Sequence, residues 1–421
     1  MVDKKSWDWE TQEKTISHTG TWKDKFEWVE EFEASPDGEK VAAVVKTGEG
    51  EFNVSVNGET WEAPFEKIRY LRFGPDGRLA CFASADMEWT VAVDGEAWEN
   101  KFGFIWNMKF SPDGKNIAAA IQQDMQYGAV LNGEPWETLY PNMTNFTISA
   151  DGTRTAGAVQ TVEFGQAEIF KFQQGCYSAA ADGQAWDKNF VNVWNMAFSP
   201  DGSKLAAEAR TSLYDYTIVV DGVPWSGSFP CVWEPIFHPK TSAVIAPIRI
   251  AGKWTLAQDG KAMWDRSFAQ CWHQVFNSDG SKLAAIVAPK FGRWTMAVNG
   301  QAWRTTFGDM VADAVFSPDG SRLAALGKEG PQWTVIVDDR PWDGTYDMVW
   351  KPVFSPDSRS VGAKVERDGK YTVAIDGKLF KRQCEAAWDP IFSPDGKKVL
   401  IRSIEHGKYT RRVVPVTDIT G

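Results

Sequence analysis

The chain has 421 residues, 43% of them hydrophobic, and no run approaches the ~18 consecutive apolar residues of a spanning helix, so the sequence predicts no membrane-crossing segment of its own. Its 45 basic and 56 acidic side chains leave a net charge of −11, which disfavours a nucleic-acid partner. Cys81, Cys176, Cys231, Cys271 and Cys384 are scattered, with no Cys-x-x-Cys, which points to reduced thiols rather than a disulfide, haem or iron–sulfur framework.

The first ten residues, Met1 to Glu10, have no apolar stretch after the lysines and do not read as a secretion signal, so a cytoplasmic protein is expected. Next comes Gly20-Thr21-Trp22-Lys23-Asp24-Lys25-Phe26, which matches only the end of a phrase that then recurs along the whole chain every ~39 residues. The phrase is FSPDG, LAA, WTVAVDG, W and F in that order. The Asp of its turn falls at Asp37, Asp76, Asp113, Asp151, Asp201, Asp279, Asp319, Asp357 and Asp395, with an eroded copy at His238-Pro239-Lys240-Thr241, making ten copies. Periodicity of this kind marks a stacked or radial repeat protein.

In the copy from Asn192 to Phe229, four strands are predicted over Val193 to Ser199, Lys204 to Ala209, Tyr216 to Val220 and Trp225 to Phe229. Pro-Asp-Gly turns the chain between the first two. Asp-Gly or Asn-Gly joins the last two, as at Asp94-Gly95 and Asn132-Gly133, and is the strongest short hairpin signal. Strands as apolar on both faces as Thr217-Ile218-Val219-Val220 must lie between neighbouring sheets. The fold class is therefore all-β: a single β-propeller of ten four-stranded antiparallel blades, with two five-bladed propellers as the alternative. Pro235, Pro352 and Pro390 share a column of the first strand, which makes that strand an edge, lining a central channel. Near 160–175 extra residues lengthen one hairpin between strands two and three. The last copy ends after Tyr409 to Val414 without a fourth strand, so residues 14–33 are expected to complete it as an N-/C-terminal clasp, giving one domain over 1–421.

Most of the 22 tryptophans fall in three columns. One follows the hairpin glycine (Trp22, Trp61, Trp98, Trp136, Trp186, Trp225, Trp264, Trp303, Trp342) with an aromatic residue four positions on, an even offset that puts both on one face to wedge against the next blade. A second opens strand three and accepts any aromatic residue, as a packing position does. The third, Trp106, Trp194, Trp233, Trp272, Trp350 and Trp388, stands at the start of strand one, beside Asn107, Asn195, Glu234, His273, Asp313, Lys351 and Asp389, a solvated rim of mixed charge. Two readings of this column stand: packing between blades, or a broken crown that binds a partner, because Trp offers much contact area at low entropic cost.

His18, His238, His273 and His406 are isolated, and there is no Gly-x-Ser-x-Gly elbow or phosphate-cradling loop, so no catalytic, cofactor or metal residues are expected and the chain does not read as an enzyme. The Ser-Pro-Asp-Gly carboxylates are expected to serve their own turns rather than calcium.

Phe198 to Ala207, Phe316 to Ala325 and Phe392 to Leu400 resemble the WD-like repeats of TolB-type propellers, a resemblance that covers nearly the whole length and implies fold more than function. The Ala-x-Asp-Gly-x-x-Trp segment at Ala92 to Trp98 is faintly similar to the docking motifs of quinoprotein dehydrogenases, whose calcium and quinone ligands have no counterpart here. More narrowly, a chain built only of these tryptophan-rich repeats is similar to the tryptophan-rich D subunit of the Tmc transmembrane redox complex of sulfate-reducing bacteria. That resemblance implies a cofactor-free, non-catalytic interaction scaffold, an accessory subunit beside a membrane cytochrome b and an iron–sulfur subunit at the inner face of the cytoplasmic membrane. A propeller that binds a small molecule or glycan through the third-column tryptophans is the alternative.

Overall fold

A computed structural model describes residues 3–165 and 167–421; Met1 and Val2 of the N-terminal reading and Gln166 of the long hairpin lie outside them. The chain is all-β, a ten-bladed β-propeller of four-stranded antiparallel blades, each of successive strands except the last, which takes one strand from the N-terminal segment. Two compact units can be distinguished, one formed by Ser84–Ala92 and Ala97–Gln274, the other by 3–83, Val93–Glu96 and Val275–Gly421.

Local chemistry repeats in most blades. In the turn between strands one and two, the Ser199 hydroxyl donates to Asp201 Oδ1 at 2.5 Å and accepts the Lys204 N–H at 2.9 Å, while the same carboxylate accepts the Ser203 N–H. These donors hold the Asp201 carboxyl down at about 2, the Ser199 hydroxyl contributing most. The hairpin between strands three and four has positive φ at both central residues, +49° at Asp94 and +97° at Gly95, which only Asn, Asp and Gly adopt readily. Its Asx side chain reaches back to the start of strand two, as Asp94 Oδ1 does to the Leu79 N–H at 3.0 Å. Strand two is consequently fixed at its beginning, and in Ile117–Gln123 five successive residues are buried on both faces.

Tryptophans of the first column seal one blade to the next. Trp98 lies against Gly133, Trp136 against Gly183, Trp186 against Gly222 and Trp225 against Gly260, each glycine belonging to the following hairpin. The aromatic residue four positions on meets its own tryptophan edge to face, as in Trp264–Phe268 at 6.2 Å, and bridges through its backbone to the residue that opens strand three.

The end of the chain differs from the repeat phrase. The strand that completes the last blade is Glu13–Ser17, paired with Lys408–Pro415, whereas Gly20 to Phe26, where the phrase places a fourth strand, contains the short helix Trp22–Lys25. No two-residue hairpin ties this strand to strand three, so it is free to pair further along and over more residues. Trp22 and Phe26 still occupy their usual places, both buried, with the Trp22 ring near Gly58. Three arginines fasten this closure. Arg402 donates to the carbonyl oxygens of Ser35 and Asp389, both at 2.9 Å. Arg411, fully buried, donates to the carbonyl oxygen of Asp37 at 3.0 Å and pairs with Glu39. Arg412 bridges Ser403, Glu405 and Glu13.

Candidate interaction surface

Strand one is the free edge of each blade, and its path decides what it presents. In Phe104–Phe110 and Asn192–Phe198 the register slips after the third-column tryptophan, and the following residue is left-handed, with φ of +57° at Asn107 and +41° at Asn195. His273 and Asp313 adopt the same conformation. This is a β-bulge that turns one polar side chain outward at the edge. Where proline follows instead, at Glu234-Pro235, Lys351-Pro352 and Asp389-Pro390, the preceding residue is barred from the helical region, and in the latter two blades the strand breaks in two, Met348–Val349 with Val353–Phe354 and Ala386–Ala387 with Ile391–Phe392. Both devices leave Asn107, Asn195, His273, Asp313, Lys351 and Asp389 exposed and Glu234 half-buried.

All six tryptophans of the third column are half-buried. Five meet the aromatic residue that opens strand three of their own blade: Trp106 and Tyr127 at 6.1 Å, Trp194 and Tyr216 at 6.3 Å, Trp233 and Trp254 at 5.4 Å, Trp350 and Tyr371 at 5.8 Å, Trp388 and Tyr409 at 5.6 Å. Trp272 sits between buried Cys271 and exposed His273. Trp106, Trp194, Trp233 and Trp272 belong to the first unit, Trp350 and Trp388 to the second. Five of the rings therefore rest on an aromatic residue of their own blade, and all six residues keep part of their surface in solvent.

The sequence reading missed what lies behind these rings. The strand-two residue opposite the tryptophan is Ala120 behind Trp106 and Pro247 behind Trp233, but Glu208 behind Trp194, Lys364 behind Trp350 and Arg402 behind Trp388. The signal was there: a charge in a column that otherwise packs apolar side chains. Burial pushes the Glu208 carboxyl up to about 7 against the opposing hydrogen bond from Asn195 Nδ2 at 2.8 Å. Between the next two blades, the His273 N–H donates to Glu234 Oε1 at 2.8 Å; burial raises that carboxyl, but the bonds from His273 outweigh it and hold it below its ordinary value. Trp233 Nε1 and Gln274 Oε1 are buried there without a partner. In the second unit the Lys364 ammonium lies 3.7 Å from the centre of the Trp350 ring, and burial lowers its pKa. Trp350, Lys364, Tyr371 and Trp388 line one hollow of ≈ 470 Å³ with Glu31, Glu33 and Glu385.

Among the described residues no three His, Cys, Asp or Glu side chains stand close enough to hold a metal ion, and no helix is long and apolar enough to cross a membrane. No protein-family model and no curated protein matches the sequence. Among solved structures, a crystal structure of the eukaryotic initiation factor is similar over 80% of this chain and 93% of its own, at 14% identity and a TM-score of 0.48.

Proposed function

We propose that this chain is a non-catalytic scaffold that captures protein partners through the third-column tryptophans and the polar residues beside them. The observation that carries the reading is the half-burial of all six tryptophans: five are anchored on an aromatic residue of their own blade, and all keep part of their surface in water, next to a residue set at a bulge or a proline break. Anchored aromatic side chains with a polar surround are the make-up of binding hot spots. The repeated turn carboxylates, such as Asp201, Asp357 and Asp395, are engaged within their own turns.

The partners suggested by the resemblance to the tryptophan-rich subunits are a membrane cytochrome b and an iron–sulfur subunit of an electron-transfer assembly, with the chain held at the membrane surface from the cytoplasmic side. Purification of the tagged full chain from solubilised membranes of its source cells tests this. Co-elution of haem and iron–sulfur absorbance, lost in a Trp194→Ala/Trp233→Ala variant of unchanged melting temperature, is the expected result. A second reading, a glycan or small-molecule binder, draws on the hollow at Trp350, Tyr371 and Trp388, whose aromatic faces and carboxylates suit a sugar. Capture of an oligosaccharide and of no protein would favour it.

A further inference from the structure

A second hollow of ≈ 380 Å³ lies in the unit formed by 3–83, Val93–Glu96 and Val275–Gly421, and the repeat does not explain its chemistry. Its walls are apolar: Phe73, Phe354 and Phe392 with Pro36, Pro356 and Pro390. Apart from Pro390 of the strand-one proline column, these are the ordinary Phe and Pro positions of the phrase. Its charged groups are not. Arg72 and Glu33 stand where later copies carry Val315, Val353 or Ile391, Arg402 stands where other copies carry Ala120 or Leu326, and Lys4 comes from the turn Lys4–Ser6 that precedes the repeats.

The charges lining the hollow do not balance within it. Three cationic groups, Lys4, Arg72 and Arg402, face two carboxylates, Glu33 and Asp389. Glu33 is paired with Arg72, and Asp389 feels both Lys364 and Arg402. The other carboxylates these groups feel, Glu31, Glu366, Asp37 and Asp313, do not line this hollow. Arg402 is buried, its Nη groups are committed to the carbonyl oxygens of Ser35 and Asp389, and its Nε has no hydrogen-bond partner. Burial and the charge of Arg402 hold the Lys4 ammonium below its ordinary pKa. Arg402 is buried while Lys4 and Arg72 keep part of their surface in water, so the net positive charge beside the Phe and Pro walls is open to an anion from solvent.

We infer that this hollow binds a small organic carboxylate, its apolar body against the Phe and Pro walls and its carboxylate toward Arg72, Lys4 and Arg402. The volume suits a ligand of about ten non-hydrogen atoms, within the range of small-molecule sites. The inference does not depend on the scaffold reading, although Asp389 and Arg402 of the hollow also flank Trp388 of the third column.

Isothermal titration of the full chain with three probes tests it. Phenylacetate supplies both features, acetate the charge alone, and benzyl alcohol the apolar ring alone. Phenylacetate should bind saturably and at least about tenfold more tightly than either of the others. Arg72→Gln and Lys4→Gln should each weaken it by about tenfold. Asp389→Asn should strengthen it severalfold, since this removes the competing carboxylate while the Asp389 carbonyl oxygen still accepts from Arg402. Melting temperatures of the three variants close to that of the parent chain show that the fold is retained. No saturable heat with phenylacetate, equal binding of acetate or benzyl alcohol, or weakening by Asp389→Asn would each overturn the assignment.

Discussion

The indole of Trp61 stands 3.3 Å from the place a β-carbon would take on Gly95, the glycine of the next hairpin, whose φ of +97° already disfavours any side chain. Turn geometry and packing between blades thus meet in one atom-sized gap. Gly95→Ala should destabilise the protein by roughly 2–3 kcal/mol, from backbone strain and ring displacement together. Gly369→Ala is the control, since its φ is +67° and nothing lies within 4 Å, so only the backbone cost of about 1 kcal/mol applies. Urea unfolding of both variants checks the difference, and equal losses would mean that the tryptophan yields without cost.

Arg412 is buried, with Nη1 2.6 Å from Glu405 Oε1 and 2.8 Å from Ser403 Oγ. Removing Arg412 leaves the mostly buried Glu405 with the more distant Arg382, at 3.7 Å, as its cation, so Arg412→Met should lower stability by about 3 kcal/mol. Arg412→Met combined with Glu405→Leu should recover part of that loss, because two apolar residues remove the charge mismatch. Denaturant melts of the two singles and the double form the necessary cycle. A strictly additive result would show that the pair does not hold the closing strand.

The periodic Pro-Asp-Gly and Asp-Gly turns announced ten sheets of four strands, because turn chemistry is local and each residue states its own requirement. The wedge role of the first tryptophan column was legible for the same reason: the even spacing from Trp264 to Phe268 fixes a shared face. What the sequence hid was non-local. Nothing near Thr410-Arg411-Arg412-Val413 says that its arginines will be buried under residues nearly four hundred positions away, and although the charges at Glu208, Lys364 and Arg402 break an apolar column, the sequence does not say what they meet there. The left-handed bulges at Asn107 and Asn195 were also hidden, since only pairing with strand two reveals the slipped register.

Glu208 gives stability a distinctive pH dependence. Its folded pKa of about 7 lies above the ordinary carboxyl value of 4.5, so the folded state holds this proton more tightly than the unfolded chain does. The group therefore contributes no penalty at pH 4. A penalty grows as the pH rises from about 4.5 to about 7 and is constant above that. Glu208→Gln keeps an acceptor for Asn195 and removes the titration, so it should stabilise the protein by about 2 kcal/mol at pH 8 and have little effect at pH 4. Thermal melts of both proteins across this range check it. A pH-independent difference would place the Glu208 carboxyl in water instead.

Trp264 and Trp233 belong to different columns and should respond differently to truncation. Trp264 is 7% exposed and meets Phe268 edge to face, so Trp264→Ala empties a buried aromatic site and should cost about 3–5 kcal/mol. Trp233 is half-buried, stacked on Trp254 with the planes 12° apart, and its Nε1 has no partner, so Trp233→Ala removes one face of a stack and should cost only about 1–2 kcal/mol. If the column binds a partner, Trp233→Ala with Trp272→Ala should abolish capture at a temperature where both variants remain folded, while Trp264→Ala lowers capture only as far as it lowers the folded fraction. Calorimetric melts beside partner capture on the same samples separate these outcomes. A loss at Trp233 as large as that at Trp264, with capture unchanged, would return the third column to packing alone.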